Sequence, residues 1–93
     1  MTEIRFTRDA EKYLNALDRP TQRRIHTAIR GLLENPPRGD IKALVSYSDD
    51  RKRLRVGKYR IMFRFNQEGD IEILLILDIN SRGDVYKRKG KSL

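Results

Sequence analysis

The chain contains no cysteine and one histidine, and these two shortages remove several chemistries together. Without cysteine no disulfide supports the fold, and no thiolate serves as nucleophile or metal ligand. With His26 alone, neither a zinc cluster nor a Cys–His nucleophile has its parts. His26 lies among charged residues on a predicted helix and reads as an ordinary surface side chain. The acids are scattered, so metal-dependent nuclease chemistry has no evident ligand set. The glycines form neither GxxxxGKS/T nor GxGxxG, which argues against nucleotide binding through the usual phosphate loops. No cofactor and no metal are expected. Long apolar runs are missing as well: the longest, "IEILLILDI" at 71–79, is strand-sized and carries acids. The opening "MTEIRFTRDAEKYL" carries Glu3, Asp9 and Glu11 and lacks the apolar stretch of a signal peptide. The expectation is a soluble, cytoplasmic protein without a membrane partner.

What the chain does have is positive charge. At 93 residues it is expected to form a single domain, 1–93, and it carries a formal charge of +8 with a pI near 10.2. Such a balance points to a polyanionic partner: nucleic acid, an acidic protein or an anionic surface. Part of the charge lies in "KRKGKSL", 87–93, which reads as a flexible basic tail and a nonspecific electrostatic arm.

Periodicity divides the rest. "TEIRF" alternates as a strand, with Ile4 and Phe6 on one face. Thr7 then suits a helix cap, and Ala10, Tyr13, Leu14 and Leu17 form one apolar stripe. After a break at Asp18-Arg19-Pro20, a second stripe runs through Ile25, Ala28, Ile29, Leu32 and Leu33 until "ENPPRGD". The two segments predict an antiparallel helical hairpin. Beyond residue 40 the period falls to two: "IKALVSY" reads as a short strand, while "KRLRV" and "YRIMFRF" alternate strictly. "QEGD" is a polar turn, and "IEILLILDI" reads as a central strand buried on both faces. The predicted fold is α+β, in β-α-α-β-β-β order, with two helices on one face of a small, mainly antiparallel sheet.

The stretch "RKRLRVGKYR", 51–60, places six cations in ten positions. Gly57-Lys58 fits a two-residue type II′ turn, so Val56 opposes Tyr59, Arg55 opposes Arg60, and Arg51 opposes Arg64. One face then carries Leu54, Val56, Tyr59, Ile61 and Phe63, a surface for the helices. The other carries Arg51, Arg53, Arg55, Arg60 and Arg64, interrupted only by Met62 and containing no acid. Lys52 points to the helix side. An ordinary solvated face is the plain alternative, but such faces mix lysine, glutamate, threonine and serine. Guanidinium groups grip phosphate through two parallel hydrogen bonds, so an arginine-only face suits an RNA backbone. Downstream, "DINSRGDVYKR" at 78–88 leaves the last strand and is placed to bring Arg82 and Tyr86 to the sheet edge. A tyrosine there stacks on a base or moves a proton, or else is simply an edge aromatic.

"LRVGKYRIMF" at 54–63, "ILDINSRGDVYKR" at 76–88 and "LENPPRGDIKAL" at 33–44 together resemble the RelE/ParE superfamily. Its members are toxin components of bacterial and archaeal toxin–antitoxin pairs, and the first two stretches resemble the RelE branch most. That resemblance implies a ribosome-dependent endoribonuclease that cleaves mRNA in the A site without a metal, and a cognate antitoxin as partner. By position it implies a catalytic set of Arg51, Arg53, Arg60, Arg82 and Tyr86. Lys52, Arg55, Arg64, Lys87 and Arg88 would then contact RNA. The chain departs from its relatives at Ser81, where many have histidine, and at Asn80, where some have arginine; this leaves the general acid unassigned. Tyr86 is either a base or a stacking group. Two other functions stay open: a ParE-like toxin that inhibits DNA gyrase, and a nucleic-acid-binding module without chemistry.

Overall fold

The structure is a computed structural model that describes residues 2–44 and 50–81. Strand β1 (Thr2–Phe6) leads into helix α1 (Arg8–Asn15) and helix α2 (Arg19–Gly31). Four strands follow: β2 (Asp40–Ala43), β3 (Lys52–Val56), β4 (Tyr59–Glu68) and β5 (Ile71–Ser81). This is the predicted order, with β2 as the short strand expected ahead of the hairpin; residues 45–47 of that segment lie outside the described residues. Five strands form one sheet in the order β1-β5-β4-β3-β2. β1 runs parallel to β5 and every other pair is antiparallel. β5 is therefore an interior strand, as its apolar run predicts, although the middle position belongs to β4. Among the described residues no helix is long and apolar enough to cross a membrane.

Both helices begin on the predicted signals. The Thr7 hydroxyl oxygen accepts from the Ala10 backbone N–H, and the Asp18 carboxylate accepts from that of Thr21. The Asp18 carboxyl is held below its usual pKa, first by the Thr21 hydroxyl, which donates to it at 2.7 Å, and then by that backbone N–H. Ala10 and Leu14 from α1 and Ile25 and Ile29 from α2 enter one core with Leu54, Ile61, Phe63, Leu74, Ile76 and Ile79 from the sheet. Leu32 closes the α2 end of that core, but Leu33 does not join the stripe. The helix stops at Gly31, and Leu33 is left 40% exposed. His26 is half-buried, with its ring edge-on to Phe6 at 6.1 Å, so it contributes packing as well as surface.

One irregularity sets the chemistry of the sheet. In the β4–β5 ladder Met62 pairs with Asp78 and Phe63 with Ile76, so Leu77 is an extra residue, a β-bulge. Before the bulge, Leu74 and Ile76 face the helices; after it, Ile79 does. Asp78 and Asn80 are thereby turned to the opposite face. Thr7 anchors the bulge: its hydroxyl donates to the Leu77 carbonyl at 2.8 Å, and its N–H donates to the Ile76 carbonyl at 3.0 Å. Thr7→Ala removes the α1 cap and the bulge tether together. We expect a loss of about 1–2 kcal/mol, read by chemical denaturation, with Thr7→Ser recovering most of it.

Candidate nucleic-acid interface

The hairpin register is the predicted one. Val56 pairs with Tyr59, Arg55 with Arg60, Leu54 with Ile61 and Arg53 with Met62, while Gly57 takes a φ of +60° at the turn. Alternation then sorts the side chains, with Leu54, Ile61 and Phe63 in the core and the arginines on the open face. Lys52 falls on the core side, between Ala43 and Phe63, as the pairing predicts. The described ladder ends at the Lys52–Phe63 pair. Arg51 lies one residue before it, half-buried, where its carbonyl accepts from the Leu44 N–H at 3.4 Å.

Pairing with β2 and β5 turns the hairpin face into a grid. One row across four strands reads Asp40, Arg55, Arg60, Asn80. The next reads Lys42, Arg53, Met62, Asp78. Arg64 lies beyond Met62 on the same face, opposite Leu75. The hairpin's own face carries no acid, as expected, but the sheet around it does: the arginines occupy the two middle strands, Asp40 and Lys42 lie on β2, and Asp78 lies on β5. Asp40 enters because β2 pairs with β3, and Asp78 because the bulge turns it outward. Gly39 allows that approach of β2, with φ at +129° and a Cβ position only 2.6 Å from Leu54 Cδ1.

Asp40 bridges two arginines. Arg53 Nη2 lies 3.4 Å from its Oδ1, and Arg55 Nε lies 3.3 Å from its Oδ2. Opposed Arg55 and Arg60 cost about 0.2–1 kcal/mol, an amount an exposed ion pair of ~0.2–1 kcal/mol can offset. The like charges on the hairpin thus have an internal counterion. Arg60 is half-buried and forms no ion pair among the described residues. Beside it, Asn80 is only 7% exposed, and its Nδ2 donates to Asp78 Oδ2 at 2.8 Å. Its Oδ1 is left buried without a partner, an acceptor fixed next to Arg60.

Of the predicted site residues, the structure brings Arg53, Arg55, Arg60 and Arg64 onto one face. Arg82, Tyr86, Lys87 and Arg88 lie outside the described residues. Sequence reasoning missed Asp40 and Asp78 as members of the face. Their signals were the charge of "RGD" just before a strand and a parity break in "ILLILDINS". Among the described residues no three His, Cys, Asp or Glu side chains come together as a metal site would require.

An α+β fold with two helices behind a basic sheet face has close counterparts among solved structures. The archaeal RelE–RelB complex of Pyrococcus horikoshii OT3 contains a chain 26% identical, with a TM-score of 0.67 over 88% of this chain and 96% of that one. The RelB–RelE antitoxin–toxin complex of Methanococcus jannaschii gives 23% identity and a TM-score of 0.66, covering 89% and 95%. The RelBE2 toxin–antitoxin complex of Mycobacterium tuberculosis gives 24% and 0.63, covering 86% and 96%. No curated protein sequence matches. Fold and sequence together define the class as the RelE/ParE superfamily of toxins. Within it, the chain belongs to the family of ParE toxins of type II toxin–antitoxin systems, whose model matches residues 4–86.

Proposed function

We propose that this toxin is a ribosome-dependent endoribonuclease that cleaves mRNA in the A site. The supporting observation is the gathering of Arg53, Arg55 and Arg60 on one open sheet face by a single tight turn. In the proposed reaction the ribose 2′-oxygen attacks the adjacent phosphorus and the bond from phosphorus to the 5′-oxygen breaks. The 2′-hydroxyl loses its proton to a base and the leaving oxygen gains one, giving a 2′,3′-cyclic phosphate and a 5′-hydroxyl end. Charge accumulates on the non-bridging oxygens, and fixed guanidiniums stabilise it without reorganising. Arg60 takes the phosphate, Arg51 and Arg53 hold the strand, and Arg82 and Tyr86 complete the set as electrophile and proton-transfer or stacking group. A Tyr86 base would need its pKa drawn down from about 10 by neighbouring guanidiniums. Arg55 and Arg64, with Lys87 and Arg88, extend the RNA contact, whereas Lys52, on the core side of β3, does not face the RNA strand. The partner that restrains the toxin is a cognate antitoxin, a reading supported by the RelE–RelB complexes it resembles.

Induced expression followed by mapping of mRNA 5′ ends tests this reading. New ends at ribosome-occupied codons are expected, and purified protein should cleave mRNA only when ribosomes are present. Intact mRNA in arrested cells would overturn it. The match to the ParE family favours a second reading, a toxin that binds DNA gyrase. Gyrase-dependent DNA breaks with intact mRNA would establish that reading instead.

A further inference from the structure

We infer that Asp40 is an internal stand-in for phosphate, which holds Arg53 and Arg55 in register and sets how tightly the open face takes an RNA strand. The inference rests on the nucleic-acid reading above and names a residue which that reading does not use. Three observations carry it. The two carboxylate oxygens each meet a different guanidinium, Oδ1 at Arg53 Nη2 and Oδ2 at Arg55 Nε, which is how a phosphate would span the same pair. Both contacts are long for charge-assisted hydrogen bonds, at 3.4 and 3.3 Å, so the carboxylate aligns the pair without saturating it. Arg53 is largely enclosed, its side chain 15% exposed and its Nε buried without a hydrogen-bond partner, so the end of its guanidinium, where Nη2 meets Asp40, is the part a phosphate can reach.

Asp40 itself is about half exposed, at the sheet-edge end of its row. An incoming phosphate can therefore displace it sideways without disturbing the core. While Asp40 is in place, it cancels one of the charges available to a strand lying along Arg55 and Arg60. The carboxylate thus trades affinity for alignment. It keeps the Arg53 and Arg55 guanidiniums aligned in the free protein, and it weakens nonspecific capture of RNA that is not presented in the right geometry.

The test compares Asp40→Asn with Asp70→Asn, which makes the same charge change at the β4–β5 turn. The probe is a short single-stranded oligouridylate with 2′-O-methyl groups, which cannot be cleaved, titrated by anisotropy over a range of salt concentrations. Asp40→Asn is expected to bind several-fold tighter than wild type. It should also steepen the dependence of log K on log salt by ~0.7 for each further phosphate neutralised. Asp70→Asn should move neither quantity appreciably. Asp40→Ala, checked for folding by circular dichroism, should follow Asp40→Asn. Equal effects of Asp40→Asn and Asp70→Asn, or weaker binding by Asp40→Asn, would overturn the inference while leaving the nucleic-acid reading intact. If wild-type protein bound neither the oligouridylate nor inorganic tripolyphosphate at low salt, the nucleic-acid reading would itself fail, and the role of Asp40 with it.

Discussion

Replacing Arg60 with alanine is expected to lower mRNA cleavage by ~10²–10³-fold, the usual cost of deleting one preorganised donor from a site that stabilises developing negative charge. Cells expressing the variant should grow, and mapped 5′ ends should disappear. The fold should survive, because Arg60 points away from the core and forms no ion pair among the described residues. Removing it also relieves the repulsion with Arg55, so a small rise in stability is expected. Arg60→Lys keeps the charge but loses the planar two-pronged grip, and should recover only part of the activity. Full toxicity in Arg60→Ala would remove the central residue of the proposed site, and with it the enzymatic reading.

Phe63→Ala should produce the largest stability loss in the chain, about 3–5 kcal/mol. Phe63 is 1% exposed, lies opposite Ile76 in the middle of the sheet, and meets Phe65 edge-on at 6.1 Å. Each kcal/mol lowers the midpoint of a domain this size by roughly 4–8 °C, so thermal melting followed by circular dichroism separates the outcomes easily. Its neighbour provides the control. Met62 lies on the open face, and Met62→Ala should cost far less. A similar loss from both would mean that the open face is packed like a core, contrary to the alternation observed.

The hairpin was the most legible part of the chain. Gly57 marks the turn, strict alternation on either side fixes the faces, and both signals are local. The helices were nearly as clear, since Thr7 and Asp18 cap them and the stripes have the right period. Leu33 was misplaced because where a helix stops, rather than the apolar spacing, decides which residues its stripe includes. The acids on the open face were not legible at all. Asp40 reaches Arg53 through a pairing across more than ten residues, and Asp78 reaches the face through an extra residue in β5. Neither depends on the identity of its immediate neighbours. Alternation along the hairpin suggested an arginine-only surface; long-range register supplied the carboxylates that temper it.

The extra residue at Leu77 has a consequence for how this surface is maintained. It divides β5 into two stretches with opposite parity: up to Ile76 even-numbered positions serve the interior, and after the bulge odd-numbered ones do. Losing that single residue would swap the roles of everything downstream, sending Ile79 outward and Asp78 and Asn80 inward. Ile79 would leave the core and the Asp78 carboxylate would enter it, a burial of charge that the fold does not compensate. The bulge therefore couples the chemistry beside Arg60 to the core: Asp78 and Asn80 hold their places on the open face only while the extra residue keeps Ile79 against the helices.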